Sequence, residues 1–316
     1  MKGLQNIDNF IDSQLMEWEL ASMNYHDLKK VKTKKLHFNG FDVLVQFNPN
    51  RIVSSSAKVD TTSIESRPCF LCSNNRPKQQ QSLPFKMDYA ILVNPFPIFP
   101  KHLTIPNIKH MDQLIQNHFD DMLDLANHLS AFVVFYNGPK CGASAPDHFH
   151  FQAGSKGFLQ IEKDFHNRSL CSLQMVREEV KVYEWNDYLR TAVTFQSSNK
   201  NKISILFNEF YFRFLQQQPN EVEPMINLIT YYEEGEWVVH LFPRILHRPS
   251  QYFENGKKQL LLSPASVDMG GVFITPRVED FLKISNEDVA DIFSQVCMDD
   301  ATLHKLYLPE KPYFFH

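Results

Sequence analysis

Hydrophobic and polar positions follow two different periods along this chain, and each period predicts a type of element. Apolar residues at roughly helical spacing over 4–24 predict an N-terminal amphipathic helix. Apolar residues that alternate on both sides of Asn39-Gly40 predict a β-hairpin over 36–47 with a tight turn of the primed type. The next predicted elements are strands at 89–93 and 102–105, a helix over 107–130 and a buried strand at 131–136.

The second half of the chain repeats part of this order. Its predicted elements are a helix at 171–190, a strand at 203–207, a helix at 208–217, strands at 225–232 and 236–242, a strand at 272–274 and a helix from Ser285. The order of 89–153, which is strand, strand, helix, strand, loop, strand, returns less clearly over 190–244. We therefore predict an α+β fold with a duplicated unit, one copy in 1–165 and the other in 166–316, packed as one body.

Near the end of the first copy lies a stretch that combines a loop of small and turn-forming residues with polar side chains. Residues 137–146 are rich in glycine, proline, alanine and serine, which is typical of a loop. The following His148-Phe149-His150-Phe151-Gln152 alternates polar and aromatic residues, so a strand would place both histidines and the glutamine on one face. Two imidazoles and an amide under a small-residue loop can hold a phosphate and attack it.

Composition narrows the class of protein. The net charge is −4 and there is no long basic run, which argues against a protein that coats nucleic acid. No long run lacks charge and the first residues lack a signal-peptide core, so we expect neither a membrane span nor secretion. Five cysteines, an odd number without a secretion signal, suggest reduced thiols and a cytoplasmic location.

Two polar segments upstream of the motif are candidate sites. Arg51 and Lys58 flank a serine-rich loop that could contact phosphate groups, or that could be an ordinary solvated loop. Cys69-Phe-Leu-Cys72 could be a redox pair, half of a metal site, or two buried thiols. A proline before the pair and a polar loop after it do not fit a thioredoxin-like context, so half of a metal site is the favoured interpretation.

The motif and its flanks resemble a known superfamily. His148-Phe-His150-Phe-Gln152 after a Gly-Ala-Ser loop resembles the histidine-triad superfamily, in the branch where glutamine replaces the third histidine. That branch contains galactose-1-phosphate uridylyltransferases, GDP-hexose phosphorylases and diadenosine tetraphosphate phosphorylases. Asn94-Pro-Phe-Pro, the segment 102–106 and the segment 264–271 are also similar to it. The resemblance implies a HIT-like antiparallel sheet with packed helices, in two repeats of which the second is degenerate.

The resemblance also implies an activity. His150 would be the nucleophile that forms a covalent nucleotidyl-histidine, with Gln152 as a donor that cannot titrate. The donor substrate would be a nucleoside-diphosphate sugar or a dinucleoside polyphosphate, and the acceptor would be phosphate or a sugar phosphate. The alternatives are a nucleotide hydrolase of the same fold and a nucleotide-binding protein without turnover.

The remaining site residues follow from the same resemblance. Asn94 would face the ribose or base, and Asn137, Gly142 and Ser144 would form the phosphate-holding loop. A structural zinc, or iron in its place, would be held by Cys69, Cys72, His110 and His148, with His102 as the competing third ligand. If no metal is bound, His148 would only orient His150. No organic cofactor is implied, and a homodimer is expected.

One residue departs from the pattern. Asp147 directly precedes His148, and an acidic side chain beside an anion site is unexpected unless it points away or orients an imidazole. The spacing from Ser144 to His148 is also one residue longer than in uridylyltransferases, which leaves the role of Ser144 open.

Overall fold

The computed structural model describes residues 2–52 and 60–307, so Lys58 and the apolar C-terminal residues 312–316 lie outside the described chain. The helices are α1 Lys2–Glu17, α2 Glu19–Leu28, α3 Thr61–Glu65, α4 Phe119–His128, α5 Gln160–Asp164, α6 Lys200–Gln217, α7 Ser250–Phe253, α8 Ser266–Met269, α9 Val278–Lys283, α10 Asn286–Val296 and α11 Asp300–Tyr307. None of the helices in these ranges is long and apolar enough to cross a membrane.

Thirteen strands are described, and they form two sheets. They are β1 Lys32–His37, β2 Asp42–Phe47, β3 Leu83–Phe85, β4 Tyr89–Val93, β5 His102–Pro106, β6 Phe132–Asn137, β7 His150–Ser155, β8 Cys171–Arg177, β9 Val180–Trp185, β10 Val193–Ser197, β11 Ile226–Glu233, β12 Glu236–Pro243 and β13 Val272–Thr275.

The large sheet has ten antiparallel strands in the order β3-β4-β5-β7-β6-β11-β12-β10-β9-β8. The strand order is symmetric about the central β6–β11 pair. From β6 outward the strands are β7, β5 and β4, and from β11 outward they are β12, β10 and β9, which follow the same pattern in the second half of the chain. Each half also carries one long crossover helix, α4 in the first and α6 in the second. The predicted α+β class with an antiparallel sheet and packed helices is confirmed.

The two faces of the large sheet are covered differently. One face packs on α4 and α6, whose Phe119 and Phe207 rings stack at 3.7 Å between centroids. The other face packs on the three-stranded sheet β1-β2-β13, in which β13 runs parallel to β2. This second layer brings Arg51, which follows β2, and the loop before β13 close to the motif strand.

Several predicted elements in the first half have other bounds. The N-terminal helix is broken at Trp18, whose backbone is extended and whose buried ring packs inward. The predicted helix over 107–130 begins only at Phe119, since the buried Gln113 bonds to the backbone of the motif strand. In the 36–47 hairpin, Gly40 of the Asn-Gly pair has positive φ (86°) but Asn39 does not. Both primed turn types need positive φ at the first central residue, so the predicted primed turn is wrong.

Two predictions in the second half are wrong. The segment 171–190 is not a helix but the hairpin β8–β9, which turns at Glu178 and Glu179 with positive φ. The segment 203–207 is not a strand but part of the 18-residue helix α6, which Asn199 caps by accepting a bond from the Lys202 backbone nitrogen. Its buried residues recur three and four positions apart as far as Phe214. This spacing is that of an α-helix and not the two-residue period of a strand.

Candidate active site and metal centre

The motif strand β7 lies between β5 and β6. Phe149 and Phe151 are buried in the helix-covered core, 5.0 Å apart, so His150 and Gln152 face the opposite side of the sheet. The Gln113 side chain makes two hydrogen bonds to the start of the strand. Its amide oxygen accepts from the His150 backbone nitrogen (2.7 Å), and its amide nitrogen donates to the His150 backbone carbonyl (2.9 Å). The same nitrogen donates to the Asn137 carbonyl (3.1 Å), so Gln113 bridges β6 and β7 beyond the last pair of their ladder.

The His150 imidazole is held in one tautomer. Its Nδ1 lies 2.8 Å from the carbonyl oxygen of His148, which can only accept, so Nδ1 carries the proton and Nε2 carries the lone pair. Burial lowers the pKa of His150 to about 4, so the ring is neutral at pH 7. His150 lines a cavity of about 550 Å³, and Nε2 is the ring nitrogen left to react with a molecule bound there.

Gln152 is oriented by His102 on the neighbouring strand β5. The backbone N–H of Ile98 donates to His102 Nδ1 (3.2 Å), so the His102 proton lies on Nε2 and is donated to Gln152 Oε1 (3.0 Å). Burial and the nearby charge of Arg51 lower the pKa of His102 to about 3, so this imidazole stays neutral. With its oxygen fixed on His102, Gln152 has its amide nitrogen available to donate to a ligand.

The cavity beside His150, which we call the large cavity, has mainly apolar walls. Trp18, Leu92 and Phe96 contribute apolar surface, and Asn94 and Thr104 contribute polar groups. Asn94 is fixed by two bonds, one donated to Thr104 Oγ1 (2.9 Å) and one accepted from the Phe96 nitrogen (2.9 Å). Such a volume with few, oriented polar groups is typical of a site for a small organic molecule.

A second cavity, of about 70 Å³, adjoins the first across Arg51, Ser144 and Gln152, which line both; we call it the small cavity. Asn137 and Gly142 lie in its wall. The Asn137 side-chain oxygen accepts from the Ser266 nitrogen (2.8 Å). Gly142 has a φ of 92°, and a Cβ there would lie 2.5 Å from the Ala265 Cβ, so a glycine is required where the two loops meet.

The structure thus brings five of the six predicted substrate-binding residues to the two cavities. Asn94, Asn137 and Gly142 each line one cavity, and Arg51 and Ser144 line both. The sixth, Lys58, lies outside the described residues.

Asp147 lines neither cavity. Its carboxylate accepts a hydrogen bond from Arg67 at 2.8 Å, and the same Arg67 nitrogen lies 3.4 Å from the Ser144 carbonyl oxygen. Arg67 therefore pairs the acidic charge and ties the motif loop to the segment that carries Cys69. This answers the question that the sequence raised about an acid beside an anion site.

The four predicted metal ligands form one cluster, in which the possible ligand atoms of Cys69, Cys72, His110 and His148 all lie within 4.8 Å of one another. His148 is not in β7, which begins at His150, but in the turn before it, so the predicted shared strand face is wrong for His148. Its Nε2 donates to the Asn107 carbonyl (2.8 Å), which leaves the Nδ1 lone pair facing Cys69 Sγ (3.3 Å).

The spacing of the cluster suits a tetrahedral metal. With a Zn–S distance of about 2.3 Å and a Zn–N distance of about 2.0 Å, sulfur and nitrogen ligands are about 3.5 Å apart. Cys72 Sγ lies 3.3 Å from His110 Nδ1 and 3.5 Å from His148 Nδ1. Burial opposes ionisation of Cys69, but the bond to His148, the backbone hydrogen bonds of Leu71 and Cys72 and the charge of His148 together outweigh burial and lower the pKa of Cys69 to about 6, which favours the thiolate. These four residues could hold a metal, and His102 is not among them.

Sequence reasoning missed two groups of residues at the site. The sequence indicates His102 as a competing metal ligand and not as the partner of Gln152, and it indicates Gln113 only as part of a helix. The sequence does not point to His247, Arg248 and Ser263 of the small cavity, and it indicates Asp268 only as part of the segment 264–271. The resemblance includes the segment 264–271. No local sequence pattern predicts that this segment lies near His150, which is more than a hundred residues earlier in the chain.

Two family models match parts of the sequence. Residues 10–155 match the family model of a domain of unknown function, DUF4922, and residues 165–307 match the GDPGP1-like C-terminal domain. No curated protein matches significantly in sequence.

Among solved structures, yeast Ap4A phosphorylase Apa2 in complex with AMP is similar, with a TM-score of 0.57 and 18% identity over 88% of this chain and 96% of that one. The same enzyme in complex with Ap4A gives a TM-score of 0.56 and 18% identity over 87% and 96%. At this identity the likeness establishes a common fold. The chain thus shares the fold of the yeast Ap4A phosphorylase, and its second half matches the GDPGP1-like C-terminal domain.

Proposed function

We propose that this protein is a nucleotidyltransferase of the phosphorylase type that works through a covalent nucleotidyl-His150. The observation that carries the proposal is the state of His150: a neutral ring whose Nδ1 proton is donated to the His148 carbonyl and whose Nε2 is left for the large cavity. A neutral imidazole nitrogen held in one orientation is a good nucleophile toward phosphorus.

In the first half-reaction, His150 Nε2 attacks the α-phosphorus of the donor. A P–N bond forms, and the bond from the α-phosphorus to the bridging oxygen breaks. The electron pair leaves with that oxygen, which becomes part of the departing phosphate ester. The ring then carries a positive charge, and the bond from Nδ1 to the His148 carbonyl stabilises it.

In the second half-reaction, an oxygen of the acceptor phosphate attacks the same phosphorus. The P–N bond breaks, its electron pair returns to Nε2, and a nucleoside diphosphate leaves when the acceptor is inorganic phosphate. His150 is regenerated in its starting tautomer, so no proton has to be exchanged with the ring.

Gln152 favours transfer over hydrolysis. Its amide nitrogen can donate to a phosphoryl oxygen as charge builds there, but it cannot pass a proton to a leaving group or take one from water. A phosphate acceptor is already an anion and needs no such base, whereas water does. A hydrolase is therefore less well supported than a transferase. The oriented, neutral His150 argues against a binding protein without turnover.

The relatives support a nucleotide as substrate. The yeast enzyme has been crystallised with AMP and with Ap4A, and the second half of this chain matches a GDPGP1-like domain. We propose a nucleoside-diphosphate sugar or a dinucleoside polyphosphate as donor, with the nucleoside in the large cavity beside Asn94. Phosphate or a sugar phosphate is the acceptor.

We further propose that Cys69, Cys72, His110 and His148 hold a structural zinc, with iron as the alternative metal. Two thiolates and two imidazoles would fill a tetrahedral shell and leave no open position, so the metal would contribute stability and not a reaction step. The cluster also fixes the backbone of His148, whose carbonyl sets the His150 tautomer.

The mirrored strand order supports a duplicated unit, with residues 1–165 as the copy that carries the motif and residues 166–316 as a degenerate copy. His240 on β12 pairs with Thr194 as Gln152 on β7 pairs with Thr104, but it is enclosed in aromatic packing and not in a cavity wall. A homodimer and a cytoplasmic location remain predictions from the sequence.

The proposal can be tested by screening nucleotide-sugars and dinucleoside polyphosphates, each with and without phosphate. A phosphorylase gives a nucleoside diphosphate only when phosphate is present. Turnover that does not depend on any acceptor supports the hydrolase instead, and binding without turnover across the panel supports the third alternative.

A further inference from the structure

The side-chain amide of Asn137 is held by its oxygen only. Asn137 is 6% exposed and lines the small cavity. Its Oδ1 accepts two hydrogen bonds, one from the Ser266 backbone nitrogen (2.8 Å) and one from Asn227 Nδ2 (3.0 Å). Within the described ranges of the chain, Nδ2 of Asn137 has no hydrogen-bond partner, so its two N–H groups are left for a ligand oxygen in the cavity.

Asn227 holds Asn137 in this direction because its own amide can point one way only. Asn227 is fully buried and lies opposite Asn137 where the β6–β11 ladder ends. Arg244 Nη1 donates to Asn227 Oδ1 (2.6 Å). A guanidinium group has donors and no acceptor, so the Asn227 oxygen must face Arg244 and the Asn227 nitrogen must face Asn137. The same nitrogen donates to the Cys141 carbonyl (2.8 Å).

Arg244 is fully buried and is fixed by backbone carbonyl groups. Its guanidinium donates to four of them, those of Val296 (3.0 Å), Pro264 (3.0 Å), Leu246 (3.0 Å) and His247 (3.3 Å). With the bond to Asn227, all five of its N–H groups are in use. Rotation of the guanidinium would leave buried carbonyl groups unpaired, which is costly, so a rigid group sets the direction of the Asn227 amide.

We propose that Asn227 is a positioning residue of the transfer reaction, which, with Arg244 behind it, turns the Asn137 amide so that Nδ2 faces the substrate. The direction passes from the guanidinium, which only donates, through one amide to the next. Asn227 and Arg244 both belong to the second half of the chain, so the copy without the motif orients a residue of the copy that carries it. The inference rests on the proposed function and on the predicted contact of Asn137 with the phosphate groups of the substrate.

Asn227→Asp tests the direction of these bonds with almost no change of shape. A carboxylate keeps the bond from Arg244 and gains an ion pair with it, so the variant should fold. It cannot donate to Asn137 Oδ1, however, and it repels that oxygen. The Asn137 amide then favours the reversed orientation, with Nδ2 toward the new carboxylate and the oxygen toward the ligand. The Kd of a nucleoside diphosphate should rise about ten- to a hundredfold, the range expected for losing a hydrogen bond to a charged group.

The experiment is a double-mutant cycle in the full-length protein, in which calorimetry measures the Kd of ADP, GDP and UDP. Asn137→Ala alone should weaken binding by a factor similar to that of Asn227→Asp. Adding Asn227→Asp to Asn137→Ala should change the Kd by about twofold or less, because the amide through which it acts is already absent. A carboxylate that repelled the phosphate groups directly, or a purely structural role of Asn227, would weaken binding by the same factor in both backgrounds.

The matched control is Thr230→Val, three residues further along β11. Thr230 is also fully buried, donates from Oγ1 to the Val238 carbonyl (2.9 Å) and lines neither cavity. Its replacement removes one buried hydrogen bond with little change of shape, so it should lower the Tm but leave the Kd within about twofold of the wild type.

Binding requires no chemistry at His150, which keeps this inference separate from the proposed function. If no nucleotidyl adduct forms in the wild type but the cycle shows the expected coupling, the positioning role stands and the covalent mechanism fails. If the adduct forms but Asn227→Asp binds the diphosphates as the wild type does, or weakens binding equally in the Asn137→Ala background, the inference is overturned and the proposed function stands. A wild-type protein that binds none of the three diphosphates would overturn the inference as well.

Discussion

His102 Nε2 donates a hydrogen bond to Gln152 Oε1 at 3.0 Å, across the pairing of β5 with β7. His102 can make this bond in one direction only, because its Nδ1 already accepts from the Ile98 nitrogen. The bond decides which end of the Gln152 amide is turned to a ligand. Without it, the amide could rotate and present its oxygen to a phosphoryl oxygen, which would repel it.

We therefore predict that His102→Phe slows nucleotidylation of His150 although His102 touches no reacting atom. The rate of adduct formation should fall about tenfold or more, and Gln152→Ala should lower it by about 10²–10³, the usual cost of losing one donor to a developing oxyanion. Single-turnover measurement at saturating donor separates this loss from weaker binding.

The matched control for His102→Phe is His240→Phe. His240 is equally buried, on β12 of the second half, and its Nδ1 lies 2.7 Å from Thr194 Oγ1, but it lines neither cavity. Both variants should lose stability, and only His102→Phe should lose rate per folded molecule. Equal rates in the two variants would show that the His102–Gln152 bond has no part in the reaction.

Replacing Gln152 by a titratable side chain should change the product. Gln152→His places an imidazole where protons can be taken from water, so the ratio of nucleoside monophosphate to nucleoside diphosphate should rise when phosphate is limiting. Chromatography of the products measures this ratio directly. Gln152→Asn, which cannot titrate either, is the control, and a ratio that rises as much in this variant would contradict the account.

Removing one ligand of the metal cluster should remove the metal. Cys72→Ser should lower the metal content below the expected one atom per chain and cost about 3 kcal/mol or more of stability, because closed zinc sites contribute directly to folding. Elemental analysis and thermal unfolding measure the two effects. The control is Cys171→Ala, which removes a buried cysteine outside the cluster; equal metal content in the two variants would exclude the assigned ligands.

Local patterns in the sequence predict much of the fold. Phe149 and Phe151 are buried by simple alternation, and the hairpin of β11 and β12 lies close to the predicted residues. Ser285 caps α10 by accepting a bond from the Asp288 nitrogen, as the capping-box pattern indicates. In these cases the residues that decide the structure are close neighbours in the chain.

The predictions from the sequence are wrong where contacts between residues far apart in the chain determine the structure. The helix predicted over 107–130 starts twelve residues late because Gln113 bonds to β6 and β7, and this same irregular segment carries His110 to Cys72. His148 leaves the strand because its imidazole turns to Cys69, 79 residues away in sequence. Arg51 and Arg248 both line the small cavity. They lie in the same cavity because the three-stranded sheet β1-β2-β13 packs on the large sheet, which no local sequence pattern predicts.

The most direct test of the account is the mass of the intact protein after incubation with a donor in the absence of phosphate. We predict an increase by one nucleoside monophosphate, less one water, on the peptide that contains His150, with loss of the adduct when phosphate is added and no adduct in His150→Asn. An unmodified wild-type protein that still turns over the donor, or an adduct that persists in His150→Asn, would contradict a covalent nucleotidyl-His150.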